Sequence, residues 1–265
     1  MLSRFTRLIR PAAPEALPAI PPGERIYAIG DVHGCADQFA AMVDAVEADD
    51  TARGAARTTV ILLGDLIDRG PDSAAVVRMA REWAARRSVR HIAGNHEEMF
   101  LESFDKGDVL RHFLRYGGRE TLLSYPIDPE AYRVADIAET QALMTAAVPA
   151  ADREYLSAAE DLIRIGDYVF VHAGVKPDVP LEEQKRRDLR WIREPFLSHR
   201  GAHAGVVVHG HTISDAVEVR PNRIGIDTGA YGGGPLTALG LEGNERWLIE
   251  ATLGEGGAST SLRTL

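Results

Sequence analysis

Five short segments recur in order along the chain: Gly30-Asp31-Val32-His33-Gly34, Gly64-Asp65-Leu66-Ile67-Asp68-Arg69-Gly70, Gly94-Asn95-His96-Glu97, His172-Ala173-Gly174 and Gly210-His211-Thr212. They supply carboxylate and amide oxygens and imidazole nitrogens, with no thiolate. Such donors suit two hard or borderline divalent metals, and arginine and histidine remain over. That inventory fits hydrolysis of a phosphate ester, in which two metals clamp the oxygens, a bridging hydroxide attacks and arginine holds the phosphoryl group.

Asp31 and His33 stand two residues apart between glycines, which let the backbone turn so that both side chains face one point. An Asx turn ahead of a helix near Asp37 would give the same letters. The Asp65 carboxylate can bridge two metals about 3.5–4 Å apart. Asp68 is best used to orient a histidine. The planar fork of Arg69 matches two phosphoryl oxygens, although Asp68 and Arg69 could equally be a surface ion pair before the Gly70-Pro71 turn. Asn95 offers a carbonyl oxygen, and His96 beside it could protonate a departing alkoxide. Glu97 reads as starting a helix or bracing the loop. A lone strand-end histidine is usually a satisfied core residue, so His172 and His211 gain weight as metal ligands only from the joint pattern. His209 reads as structural, and His91, His112, His199 and His203 as surface or core.

Each segment follows an apolar run that predicts a buried strand, a rigid place for a ligand. Strands are expected over Arg25–Ile29, Thr58–Leu63 and Val89–Ala93, with helices over Asp37–Ala48 and Ser73–Arg86 between them. That rhythm implies parallel strands with the site at their carboxyl ends. Residues 97–159 read as a helical insertion. A hairpin follows at Leu162–Ile165 and Tyr168–Val171, then a strand over Gly205–Val208. An antiparallel series is expected over 217–219, 223–226, 236–241 and 246–251. The predicted domain is 24–253, a two-sheet α/β sandwich flanked by helices. Before it lie a basic tail and a linker with five prolines over Pro11–Pro22; after it, 254–265 reads as a frayed tail.

The 265 residues are 45% apolar with a net charge of −9, which argues against a general nucleic-acid partner. The one cysteine, Cys35, excludes an intrachain disulfide and suggests a reducing, cytoplasmic setting. Cys35 reads as a small buried residue at a helix start. No apolar run reaches the roughly 18 residues a membrane span needs.

The five segments in this order resemble the phosphoprotein phosphatase branch of the metallophosphoesterase superfamily, closest to the small bacterial and phage-type serine/threonine phosphatases. The likeness runs from about Arg25 to Leu241. It implies a calcineurin-like fold with Asp31, His33 and Asp65 on a first metal, and Asp65, Asn95, His172 and His211 on a second. It also implies His96 as general acid, Asp68 orienting it, and Arg69 on phosphate. Trp191-Ile192-Arg193-Glu194 resembles a family segment whose arginine, here Arg193, is a second phosphate ligand. The resemblance points to Mn²⁺, with Fe or Zn²⁺ also suited by ligand type. Gly210-His211-Thr212-Ile213 lacks the second histidine that many other metallophosphoesterases carry. Related symmetrical dinucleoside tetraphosphate hydrolases tend to lack an aspartate before the arginine and to carry Gly-Asn-His-Asp; Asp68 and Glu97 here favour a phosphomonoesterase. The leading expectation is a serine/threonine protein phosphatase acting on phosphoproteins or small phosphate esters. The alternatives are a dinucleoside tetraphosphate hydrolase and a non-catalytic phosphate-binding scaffold.

Overall fold

The computed structural model describes residues 17–265. The basic segment Met1–Arg10 and the first part of the proline-rich stretch lie outside the described residues. The later part packs rather than linking: Ile20 is buried and its amide donates to the Gly243 carbonyl at 2.8 Å, while the Ala19 amide donates to Asp167 at 2.9 Å.

Strand β1 (Glu24–Ile29) is followed by helix α1 (Ala36–Arg53), β2 (Arg57–Leu62), α2 (Ser73–Ala84) and β3 (Val89–His91), and the three strands run parallel. Both faces of β1 and of the second half of β2 are covered, as their near-continuous apolar composition requires. Ile26, Ala28 and Ile61 point one way into a core shared with Phe170, Val208 and Ile224. Tyr27, Ile29, Val60 and Leu62 point the other way and meet Phe39, Met42 and Val46 of α1 and Val76 and Trp83 of α2. This is the two-residue alternation of a pleated strand with partners on both sides. Burying each of the larger apolar side chains contributes about 1.5–3 kcal/mol. Helix α2 begins where the Asp72 carboxylate accepts from the Ala75 amide at 2.9 Å.

After β3 the chain is helical through α3 (Asn95–Ser103), α4 (Gly107–Phe113), α5 (Arg119–Ser124), α6 (Pro129–Val134), α7 (Ile137–Ala147) and α8 (Ala150–Ser157). Leu110, Phe113, Leu122, Met144 and Leu156 from this insertion join the same core as α1 and α2. Then come β4 (Ile163–Ile165), β5 (Tyr168–Phe170), α9 (Arg186–Trp191), β6 (Val206–His209), β7 (Glu218–Val219), β8 (Arg223–Gly225), β9 (Leu236–Glu242), β10 (Glu245–Gly254) and β11 (Gly257–Thr264).

Two sheets result, ordered β11-β10-β9-β1-β2-β3 and β4-β5-β6-β8-β7. The architecture is the expected α/β sandwich with helices outside. Two expectations are corrected. The late strands are not one antiparallel series: β8 runs parallel to β6 in the second sheet, whereas β9 runs antiparallel to β1 in the first. Residues 254–265 are not frayed either, because β11 pairs antiparallel with β10 over its whole length. Among the described residues no helix is long and apolar enough to cross a membrane.

Candidate metal centre

The carboxyl ends of β1, β2, β3, β5 and β6 point to one place, and the five segments sit there. Their backbone is forced. Six non-glycine residues among those described have left-handed φ, and five of them are here: His33 (46°), Asp65 (48°), Asp68 (74°), Arg69 (69°) and His211 (62°). Such conformations cost about 1–3 kcal/mol each and persist where the surroundings impose them, characteristically at functional sites. The flanking glycines allow close approach. A Cβ at Gly210 would lie 1.9 Å from Asp31 Oδ1, and one at Gly94 would lie 2.1 Å from Asp65 Oδ1. Gly210→Ala is therefore expected to push Asp31 aside and weaken Mn²⁺ binding about 10–100-fold, the usual scale for disturbing a ligand's surroundings. Calorimetric titration with Mn²⁺ checks this, with the circular dichroism spectrum expected to stay the same. Undiminished affinity would show that Asp31 does not help to hold the ion.

Asp65 is at the centre. Its Oδ2 lies 3.4 Å from His172 Nε2, 3.6 Å from His33 Nε2 and 3.9 Å from His96 Nε2. Two groups of three could each hold an ion: His33, Asp65 and His96, and Asp65, His172 and His211. The imidazole tautomers are set from behind. His33 Nδ1–H donates to the Ile67 carbonyl at 2.8 Å and His172 Nδ1–H to the Leu63 carbonyl at 2.9 Å, so both present Nε2 lone pairs inward. His172 Nε2 also lies 3.0 Å from Asn95 Oδ1 and 3.2 Å from His211 Nδ1. His211 Nε2 is buried with no hydrogen-bond partner. This crowding of nitrogen and oxygen donors around one space is consistent with a site for cations.

The electrostatics agree. Burial pushes the Asp31 carboxyl up and the charges of Asp227 and Asp65 push it further, whereas the imidazoles of His172, His96 and His33 outweigh burial at Asp65 and hold its carboxyl well below the usual range. Burial alone would lower His172, but the Asp65 carboxylate outweighs it and carries the imidazole to about 10. Burial pushes His33 down to about 3 and His211 down to about 2, which keeps them neutral, the form that ligates metal.

Beside the two groups, His96 Nδ1–H donates to Asp68 Oδ2 at 2.6 Å, and Asp68 is fully buried. Arg69 sends one guanidinium nitrogen to His33 Nε2 at 2.8 Å and the other to His96 Nε2 at 2.9 Å. Arg193 is further out, donating to the His211 carbonyl at 3.4 Å. Asp31 lies outside both groups of three. Its carboxylate accepts from the His211 amide at 3.0 and 3.1 Å, and so ties the β1 end to the β6 end. Glu97 braces the loop, its carboxylate accepting from the amides of Asp65, Leu66 and Gly94. All ten residues singled out from the sequence thus join one contact network. Cys35 is buried at the start of α1, and His209 is buried against Phe196.

Some nearby residues were not picked out from the sequence. The Tyr231 ring lies 4.7 Å from the Arg69 guanidinium and 5.1 Å from the His33 ring. Its signal was available, an aromatic residue amid glycines in Gly229-Ala230-Tyr231-Gly232-Gly233. The Asp227 charge acts on Asp31, and burial pushes the Asp227 carboxyl up to about 6.

The profile of the calcineurin-like phosphoesterases matches residues 24–232. A symmetrical bis(5'-nucleosyl)-tetraphosphatase of Nitrosospira multiformis is 28% identical, over 88% of this chain and 98% of its own. An asymmetrical bis(5'-nucleosyl)-tetraphosphatase of Bacillus velezensis is 25% identical, over 85% and 92%. Serine/threonine-protein phosphatase 1 of Salmonella typhimurium is 28% identical, over 82% and 92%. The match spans β1 through β8 and includes every one of the five segments, so the chain belongs to the calcineurin-like phosphoesterase family and is a metal-dependent phosphoesterase.

Proposed function

We propose that the chain hydrolyses phosphoric anhydrides of the dinucleoside tetraphosphate class. The observation that carries this is similarity along nearly the whole chain to two tetraphosphatases, one symmetrical and one asymmetrical. The sequence criterion that favoured a phosphomonoesterase weakens beside it. Glu97 faces three backbone amides and not the open side of the site, so its identity reports loop packing and not substrate.

Asp31, His33 and Asp65 would hold one ion, and Asp65, Asn95, His172 and His211 the other. By distance His96 belongs to the first group of three as well, but the family resemblance assigns it to proton delivery and not to the ion. Oxygen and nitrogen donors without thiolate fit Mn²⁺, Fe or Zn²⁺. When bound, such ions supply Lewis acidity at the phosphoryl oxygens and lower the pKa of the attacking water. The chain's own residues do the rest. Arg69 and Arg193 bind and orient the phosphoryl group with charge-assisted hydrogen bonds. His96 delivers a proton from Nε2 to the leaving oxygen, and Asp68 keeps that nitrogen aimed.

A second reading, a serine/threonine protein phosphatase, is favoured by the buried Asp68–His96 contact, because an alkoxide leaving group needs a proton more than a nucleotide phosphate does. The Salmonella relative supports it too. Comparing kcat/KM on Mn²⁺-reconstituted protein for diadenosine tetraphosphate and a phosphoserine peptide decides between them. A ratio of about tenfold or more for the dinucleotide, 1.4 kcal/mol of differential transition-state stabilisation, is expected. The reverse ratio establishes the second reading. Absence of hydrolysis of either substrate and of p-nitrophenyl phosphate would revive the scaffold alternative.

A further inference from the structure

Thr121 belongs to the helical insertion, 53 residues along the chain from Asp68, yet its hydroxyl sits on that aspartate. The Thr121 hydroxyl donates to Asp68 Oδ1 at 2.5 Å and accepts from the Asp68 amide at 2.8 Å. Ser73 Oγ, at the start of α2, accepts from the same amide at 2.9 Å and lies 2.9 Å from Thr121 Oγ1. Because the Thr121 proton is already given to Asp68, the Ser73 proton points to Thr121. Thr121, Asp68 and Ser73 are all fully buried, so no water competes for these bonds.

A neighbouring contact binds the insertion to the arginine. The helix between α4 and α5 breaks at Gly117 (φ 105°), and the freed Gly117 carbonyl accepts from the Arg69 amide at 3.1 Å. A Cβ there would lie 2.6 Å from Arg69 N, so only glycine permits the approach. Asp68 and Arg69 both have left-handed φ, and the insertion supplies hydrogen-bond partners for both backbone amides.

We infer that Thr121 is a positioning residue for proton delivery: by fixing the second oxygen of the Asp68 carboxylate, it sets the direction in which His96 presents Nε2 to the leaving group. The carboxylate has one oxygen on His96 and the other on Thr121, so losing the second frees it to rotate about its Cβ–Cγ bond and turns the imidazole with it. The inference rests on His96 being the proton donor.

Thr121→Val keeps the shape and removes the hydroxyl. On Mn²⁺-loaded protein, kcat for an alkyl phosphate is expected to fall about 10–100-fold, the range found for residues that orient an active group through another. KM and kcat for p-nitrophenyl phosphate, whose leaving group needs no proton, should stay within about twofold of the parent. Thr121→Ser, which keeps the hydroxyl, should restore the alkyl rate. In metal-free protein the His96 Nδ1 proton resonance should shift in Thr121→Val and return in Thr121→Ser. Thr121→Ala carries the same test if the valine variant does not fold. Equal loss on both substrates, an unmoved resonance, or no rescue by serine would overturn the inference. If His96→Asn shows the leaving-group pattern and Thr121→Val does not, the inference alone fails. If neither shows it, the assignment of His96 fails first.

Discussion

Asp65→Asn is expected to lose at least one bound metal ion and to lower kcat about 10³-fold or more. Asp65 is the one residue common to both candidate groups, with three imidazole nitrogens within 3.9 Å of its Oδ2. Asparagine is the fair substitution here. It is nearly isosteric, it tolerates the left-handed φ of 48°, and its amide oxygen can still accept from the His96 amide, which donates to Oδ1 at 3.0 Å. The change therefore removes one negative charge and one ligand oxygen and leaves the loop in place. Metal catalysis is worth several kcal/mol, and each 1.36 kcal/mol is tenfold in rate, which sets the expected size. Plasma emission analysis should show fewer ions per chain, and steady-state kinetics at saturating Mn²⁺ should show the lost rate. A variant with full metal content and more than a tenth of the parent activity would show that Asp65 does not bridge.

The same residue illustrates what the sequence made legible. Asp65 announces itself by type and place, a carboxylate one glycine beyond the end of a β-branched run. The first two strands were legible for a related reason, because strands buried on both faces carry near-continuous apolar runs. β11 was not. Its eight residues, Gly-Ala-Ser-Thr-Ser-Leu-Arg-Thr, are largely exposed and carry no apolar alternation, so they read as a tail. What makes them a strand is the ladder to β10, a tertiary effect that local composition does not report. The insertion was legible as helical but not in its divisions, since several of its helices run only six to eight residues and are ended by turns and caps. At the site, ligand types were legible and supports were not. Nothing in the letters around Thr121 connects it with Asp68; that contact exists only once α5 has folded onto the start of α2, where Ser124 Oγ also accepts from the Ala74 amide. Arg193 came from family resemblance alone, and its exposed place at the rim, with a hydrogen bond to the His211 carbonyl, explains why no local pattern marks it.

His96→Asn has the second large expected effect, and its size should depend on the substrate. The imidazole is held by Asp68 at 2.6 Å on one nitrogen and faces the Arg69 fork at 2.9 Å on the other. Burial lowers its basicity, yet the nearby charges of Asp65 and Asp68 more than offset this, so it binds a proton more readily than an ordinary histidine. A group in that state suits proton donation. Removing it should cost about 10²–10⁴-fold in kcat wherever the leaving oxygen departs as an alkoxide, as from phosphoserine. The cost should be far smaller for p-nitrophenyl phosphate and for diadenosine tetraphosphate, whose leaving groups are stable anions. Metal content should stay intact, because the proposed ligands Asp31, His33, Asp65, Asn95, His172 and His211 are all unchanged. The backbone contact survives too, since it is the residue 96 amide that donates to Asp65. The pattern of losses then separates two roles that the geometry alone could serve. A loss graded by leaving group identifies a proton donor. A uniform loss across all three substrates would identify a residue that orients the phosphoryl group through Arg69, and His96 would join the arginines as a binding element. A parent enzyme that prefers the dinucleotide while showing the graded loss on phosphoserine would mean that one site retains the apparatus for both leaving groups and selects between substrates elsewhere, at its rim.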